Sequence, residues 1–441
     1  MDETGIIMKK EDVMTSRERV IEAINHRQPD RCPIDLGSNG QTGMNVSTVY
    51  RLRKALGLDE HRLKAIEPFQ MLGEIEEDLL RAVHSDVVGL WNRGNMMGFS
   101  QDTWKPFDLD DGTPTWIGSG FEYDVNENGD KMVYEQGDRT AKYATCMTKG
   151  GSFFDNISHV AEPFDMYIDE EDLTPLEDYK KDFQVCSDED ARYWEEESIR
   201  LFEGTDYAIM GVLGGGGLGD VAQIPGPALK SPRGIRTIPD WIMAQKLFPD
   251  YIHAVFDLQT NVMLKNLEIY KQAVGDRIQV IWISGTDFGT QNGPFMSLDT
   301  FRELYKPYYR KINDWVHQNT NWKTFDHTCG CINQFLDDFY DMGIDCLNPV
   351  QFSAMEPKGM GPQRLKDEYG DKFTFWGGGV DTQHVLPFGT PDEVRAQVRE
   401  RVEILNKNGG YIFNTIHNVV ANVPPENLIA MYETVIGEKI R

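Results

Sequence analysis

Eight short strand-like runs, most of them followed by a helix-patterned stretch, predict a (β/α)8 TIM barrel carrying an antiparallel β insertion. The runs are 32–36, 86–91, 207–213, 278–283, 323–327, 346–351, 373–376 and 411–415. A second observation argues against a doubly wound sheet: no Gly-x-Gly-x-x-Gly fingerprint follows the first run. The third is the placement of the reactive residues. Asp287, His327, Cys329, Gln351, Asp381 and His417 fall at or just past strand ends, the face of a barrel where chemistry sits.

Taken in order, residues 1–14 read as a leader and 15–441 as a single barrel domain. Thr15-Ser16-Arg17-Glu18 has the form of a capping box that opens a helix over 16–25. Pro29 and Pro33 bracket the start of the first strand, and Gly37-Ser38-Asn39-Gly40 follows it as a loop. Helices fit 47–56 and 74–84, ahead of the buried strand 86–91. The pattern changes over about 100–190, where strand-like runs at 121–125 and 131–134 flank Asn128-Gly129, a hairpin signal. Residues 113–117 offer a third strand, and the acidic stretch 165–190 reads as solvated helix and loop. No Pro/Gly/Ser-rich linker flanks this region, so it reads as an insertion. From 207 onward strands alternate with helices at 251–274, 298–318, 332–342, near 362–369, 391–406 and 424–440.

The chain of 441 residues is 40% hydrophobic, enough for a sizeable core, and its net charge of −27 argues against a basic face for nucleic acid or anionic membrane. Six cysteines without a Cys-x-x-Cys pair suit a reducing compartment. No run has the length of a membrane span, and the expectation is a cytoplasmic protein.

His327 and Cys329, two apart at the end of a strand, project to one side, and imidazole with thiolate suits tetrahedral zinc; the alternative is a buried polar pair with no metal. His417, at the end of the last strand, is the candidate third ligand; the alternative is a hydrogen-bonded pocket histidine. Two imidazoles and one thiolate leave the fourth position open, the layout of a catalytic metal. Cys331 is the rival thiolate, whereas Cys346 lies inside an apolar strand and reads as core. Asp287 and Asp381 either orient ligands and substrate or cap the turns that follow them. The run Gly214 to Gly217 lacks the Lys-Ser/Thr of a phosphate-binding loop.

Several stretches carry a resemblance. Arg17-Glu18-Arg19 through Pro29-Asp30-Arg31-Cys32-Pro33, Gly289-Thr290-Gln291-Asn292-Gly293-Pro294, and His327-Thr328-Cys329-Gly330 are similar to segments of the uroporphyrinogen decarboxylase superfamily. So are Leu347-Asn348-Pro349-Val350-Gln351, Trp376-Gly377-Gly378-Gly379-Val380-Asp381 and Val423-Pro424-Pro425-Glu426-Asn427. Within it the chain resembles the cobalamin-dependent methyltransferases. The carboxylate-gripping arginines of the decarboxylases are replaced by Asp35-Leu36-Gly37-Ser38-Asn39-Gly40. The methyltransferases use a later cysteine where His417 stands, and the decarboxylases place a histidine near the same point without metal.

The resemblance implies a zinc-dependent methyltransferase that moves a methyl group from a methyl ether, such as a methoxylated aromatic, or from a methylated amine to a corrinoid. Asp287, Gln351 and Asp381 are its candidate catalytic residues. No Asp-x-His-x-x-Gly cobalamin motif is present, so the cobalamin is expected on a partner protein, with homodimerisation left open. The rival readings are a metal-free decarboxylase or lyase, with Arg233 and Arg236 in the Lys230-to-Ile238 loop as its cations, and a non-catalytic ligand-binding barrel.

Overall fold

The computed structural model describes residues 14–134, 139–140, 143, 145–156, 170–220, 233–354 and 360–440. The expected leader lies outside them except for Met14, as do Lys230 and parts of the 100–190 region.

The barrel strands are β1 (residues 34–35), β2 (Val87–Leu90), β3 (Ala208–Gly211), β4 (Val280–Ser284), β5 (Lys323–His327), β6 (Cys346–Asn348), β7 (Thr374–Trp376) and β8 (Tyr411–Ile412). Seven of them form one parallel sheet in the order β8-β7-β6-β5-β4-β3-β2. The short β1 closes the ring, since Ile34 bridges Phe413 just past β8 and Asp35 bridges Val87 on β2, both in parallel. Each of the eight runs therefore overlaps one strand.

Alternation along the strands sends Val87, Met210, Val280, Phe325, Cys346 and Ile412 into one small cluster, apart from the larger core under the helices. Helix Ser16–Ile24 joins this cluster with Val20, Ala23 and Ile24, and so plugs the barrel floor. Its capping box forms as expected around Thr15 and Glu18. Below the plug, the fully buried Asp86 carboxylate takes Arg19 Nη1 at 2.6 Å and Arg31 Nη1 at 2.7 Å. The Arg17-to-Pro33 stretch is therefore structural. Its charges neutralise one another inside the protein, where an unpaired partner would be costly.

The expected helices between 251 and 440 are present, with the 298–318 stretch divided at Tyr305 into Leu298–Leu304 and Lys306–Asn319. Pro307, in the first turn of the second segment, has no N–H to continue the first. Helices Asp188–Gly204 and Ile238–Leu247 were not anticipated.

Two further sheets cover the barrel. The hairpin forms with Gly129 at φ +88°, and its strands Tyr123–Val125 and Lys131–Val133 continue into an antiparallel meander with Thr145–Met147 and Asp155–Asn156. The expected third strand forms as Thr115–Gly118, but in a different sheet. There it pairs antiparallel with Trp104–Pro106 and parallel with Leu63–Glu67, a strand that precedes the expected insertion. Among the described residues no helix is long and apolar enough to cross a membrane.

Candidate metal centre

β5 delivers His327 to the barrel mouth, and the backbone beyond it is gathered by its neighbours one amide at a time. The N–H of Thr328 donates to Asn348 O (2.9 Å), that of Cys329 to the Asp287 carboxylate (2.6 Å), that of Gly330 to Gln351 Oε1 (2.7 Å) and that of Cys331 to Thr290 O (2.8 Å). Gly330 makes this turn at φ +80°, and a Cβ there would lie 2.4 Å from the Gly289 carbonyl. Two glycines therefore let the loops after β4 and β5 pack backbone to backbone.

The loop sets Cys329 Sγ 3.2 Å from His327 Nε2. On its other edge the His327 ring meets Asn348 Oδ1, while Asn348 Nδ2 donates to Trp376 O at 2.7 Å. Because the amide is oriented by that second bond, Oδ1 accepts and His327 Nδ1 carries the proton. Nε2 is left with its lone pair facing the thiol.

The third side chain is His417. It holds a left-handed backbone (φ +70°), unusual outside glycine, and its ring centroid lies 5.0 Å from that of His327. Asn418 secures this conformation: its side chain accepts from Gly43 N–H (2.6 Å) and donates to Gly40 O and Gln70 Oε1 (2.8 Å each). Its backbone N–H donates to His417 Nδ1 at 2.8 Å. Ligand atoms of His327, Cys329 and His417 all lie within 4.8 Å of one another.

Burial pushes both imidazoles down to about 4; at His417 the neighbouring His327 adds to this and Asp287 opposes it. Burial, reinforced by Asp287, pushes the Cys329 thiol well up, and burial also raises Asp287. A bound dication reverses this balance at the thiol, because it stabilises the thiolate and expels the proton. His327 and Cys329 fit Zn²⁺ on this geometry: their 3.2 Å separation is close to the roughly 3.6 Å edge of a tetrahedral N/S site.

The site residues expected from sequence separate into three groups. His327, Cys329, His417 and Asp287 meet at one pole of a cavity of about 1400 Å³, which Trp91, Asp220 and Trp282 also line. Gln351 holds the loop from behind and is buried. Asp381 stands apart: its carboxylate accepts from Gln383 N–H (2.7 Å) and contacts His384 Nδ1 (3.2 Å), capping the turn after β7. Cys331 and Cys346 are buried in the two core clusters. Arg236 is spent on Asp182 (2.7 Å) and Arg233 lies near Asp178 (3.7 Å), so neither brings a free cation to the cavity. Asn348 and Asn418 were missed. Asn348 had one signal, a polar residue ending an otherwise apolar strand run; Asn418 had none beyond adjacency to His417.

Residues 232–437 match the family model described as uroporphyrinogen decarboxylase (URO-D). Among solved structures, a methyltransferase from Methanosarcina mazei is similar at a TM-score of 0.53 and 16% identity, over 96% of this chain and 99% of that one. At that identity the likeness speaks for the barrel and its coverings. The matched segment, residues 232–437, which holds the motifs that build the β4, β5 and β6 loops, is therefore similar to the uroporphyrinogen decarboxylase family.

Proposed function

We propose that the protein is a zinc-dependent methyltransferase that passes a methyl group from a methyl ether, foremost a methoxylated aromatic, to the corrinoid of a partner protein. The observation that carries this reading is the His327–Cys329 pair: a lone-pair nitrogen beside a thiol, its tautomer held by Asn348, at the pole of a cavity. The methyltransferase that shares this fold along the whole chain adds support. Zinc would supply Lewis acidity toward the heteroatom that carries the methyl group, easing its departure.

The chain's own residues shape the rest. Trp91 and Trp282 offer apolar walls to a flat donor, and the turn bearing Phe69 and Gln70 together with Phe153 narrows the approach. Asp287 holds the Cys329 amide, which keeps the thiol aimed at Nε2 of His327. The methylated amine remains the second donor class, and Asp220 and Asp287 on the cavity wall are suited to its cationic form.

The test is zinc content and methyl transfer together. Purified protein should hold about one zinc per chain, and a methoxylated aromatic with a cob(I)alamin-loaded carrier protein should yield methylcobalamin. His327→Ala should lose both. A wild-type protein without zinc, and without transfer from either donor class, would end this reading.

A further inference from the structure

The two histidines at the metal pole are held in opposite tautomers. His327 gives its Nδ1 proton to Asn348 and keeps a lone pair on Nε2. His417 is the reverse. A backbone N–H can only donate, so the 2.8 Å contact from Asn418 N requires a lone pair on His417 Nδ1. The neutral ring then carries its proton on Nε2, and a nitrogen bearing a proton cannot bind a metal. Ligation through Nδ1 instead would have to displace the Asn418 N–H.

The backbone resists such a rearrangement. His417 sits at φ +70° because Asn418 is anchored by three side-chain hydrogen bonds, to Gly43 N, Gly40 O and Gln70 Oε1. A strained conformation fixed from three directions is the mark of a group whose orientation matters. The imidazole itself lines the cavity.

We propose that His417 is not a ligand of the metal held by His327 and Cys329, but presents Nε2–H as a hydrogen-bond donor to the heteroatom from which the methyl group departs. This rests on the methyl-transfer reading. In that step the carbon–oxygen bond of the donor breaks and its electron pair stays on oxygen. The methyl carbon bonds to the partner's cobalt(I), which gives two electrons and becomes cobalt(III). The charge that builds on oxygen is met by Nε2–H; the proton stays on the ring, and solvent protonates the released oxygen. A donor already aimed at the developing charge needs no reorganisation when the bond breaks.

Zinc affinity of the full chain, measured by competition with a chromophoric chelator, separates ligand from donor. His417→Gln and His417→Asn should keep about one zinc with affinity within roughly threefold of wild type, whereas His327→Ala should lose about 100-fold or more. Methyl transfer in His417→Ala should fall about 100-fold in kcat, with partial rescue in His417→Gln, whose amide restores an N–H. Asn tolerates a left-handed backbone, so His417→Asn guards against a variant that merely misfolds. Zinc lost from correctly folded His417→Asn and His417→Gln would overturn the inference while leaving the methyltransferase reading intact. So would unchanged kcat in His417→Ala. Absence of zinc from the wild type would overturn both.

Discussion

Asn348 offers the sharpest single-residue prediction, because it has one job at each end of its amide. The side chain is fully buried, accepts from His327 Nδ1 and donates to Trp376 O. Asn348→Ala strands a buried N–H and a buried carbonyl, at about 1–3 kcal/mol each, so a loss of roughly 2–6 kcal/mol in stability is expected. It also frees the His327 ring to place its proton on Nε2, toward the metal. Losing the partner that orients a ligating histidine typically costs about 10–100-fold in metal affinity. Asn348→Asp separates the two effects. The carboxylate still accepts from Nδ1, so zinc affinity should hold or rise, while the bond to Trp376 O is lost and stability falls. The assay is chelator competition alongside thermal unfolding with and without EDTA. If both variants bind zinc equally, the tautomer argument is wrong, whatever happens to their stability.

Two further predictions concern Asp35 and Gly330. Burial raises Asp35 to about 6 from 3.8, against the opposing hydrogen bonds from Ser38 and Trp376. The folded state then binds this proton more tightly than the unfolded chain, so the stabilisation present below about pH 4 is lost as pH climbs through 6, over a span of about 3 kcal/mol. Asp35→Asn should flatten that part of the profile in denaturant unfolding between pH 4 and 7.5; an unchanged slope would contradict it. Gly330→Ala should destabilise by about 2–4 kcal/mol and abolish zinc retention, because its Cβ would meet the Gly289 backbone at 2.4 Å. Gly361→Ala, with no atom of the described residues within 4 Å of the new methyl, is the silent control in the same melting and metal assays.

What the sequence made legible follows a physical line. The barrel strands are largely buried and most are rich in apolar residues, so all eight could be read, including β5 with its Asp326 and His327 and β1, which is only two residues long. Helix Ser16–Ile24 announced itself through its cap. The misses lie where a pattern needs a distant partner to be meaningful. Leu63-Lys64-Ala65-Ile66-Glu67 alternates with the period of a strand, yet its sheet partner Thr115–Gly118 is about fifty residues away. Ile238–Leu247 is apolar without a clear stripe, and only the structure shows Trp241 and Ala244 as its buried side. At the site, the meeting of His327 and Cys329 could be read from spacing alone. The tautomer of His417 could not, since it depends on a backbone bond that exists only once φ has turned positive.

The superfamily motifs also change meaning once the loop after β5 is seen. Asp287, Gln351 and Thr290 come from the recognised stretches or their borders, and each spends a group on one backbone amide of residues 329–331. Asn348 and Trp376, also within them, fix the His327 ring. These motifs build the frame that carries the proposed ligands, and a frame of this kind is compatible with any reaction that needs a metal at that pole. The walls that a donor would touch come from elsewhere: Phe69 and Gln70 from the covering sheet, Phe153 beside the meander, Trp91 after β2 and Trp282 on β4. On the proposed methyl-transfer reading, substrate choice would therefore be written mainly in segments outside the motifs. If the proposed function holds, exchanging the covering segments with those of similar proteins should alter which methyl donor is accepted, while zinc retention at the proposed His327–Cys329 pair should be unchanged.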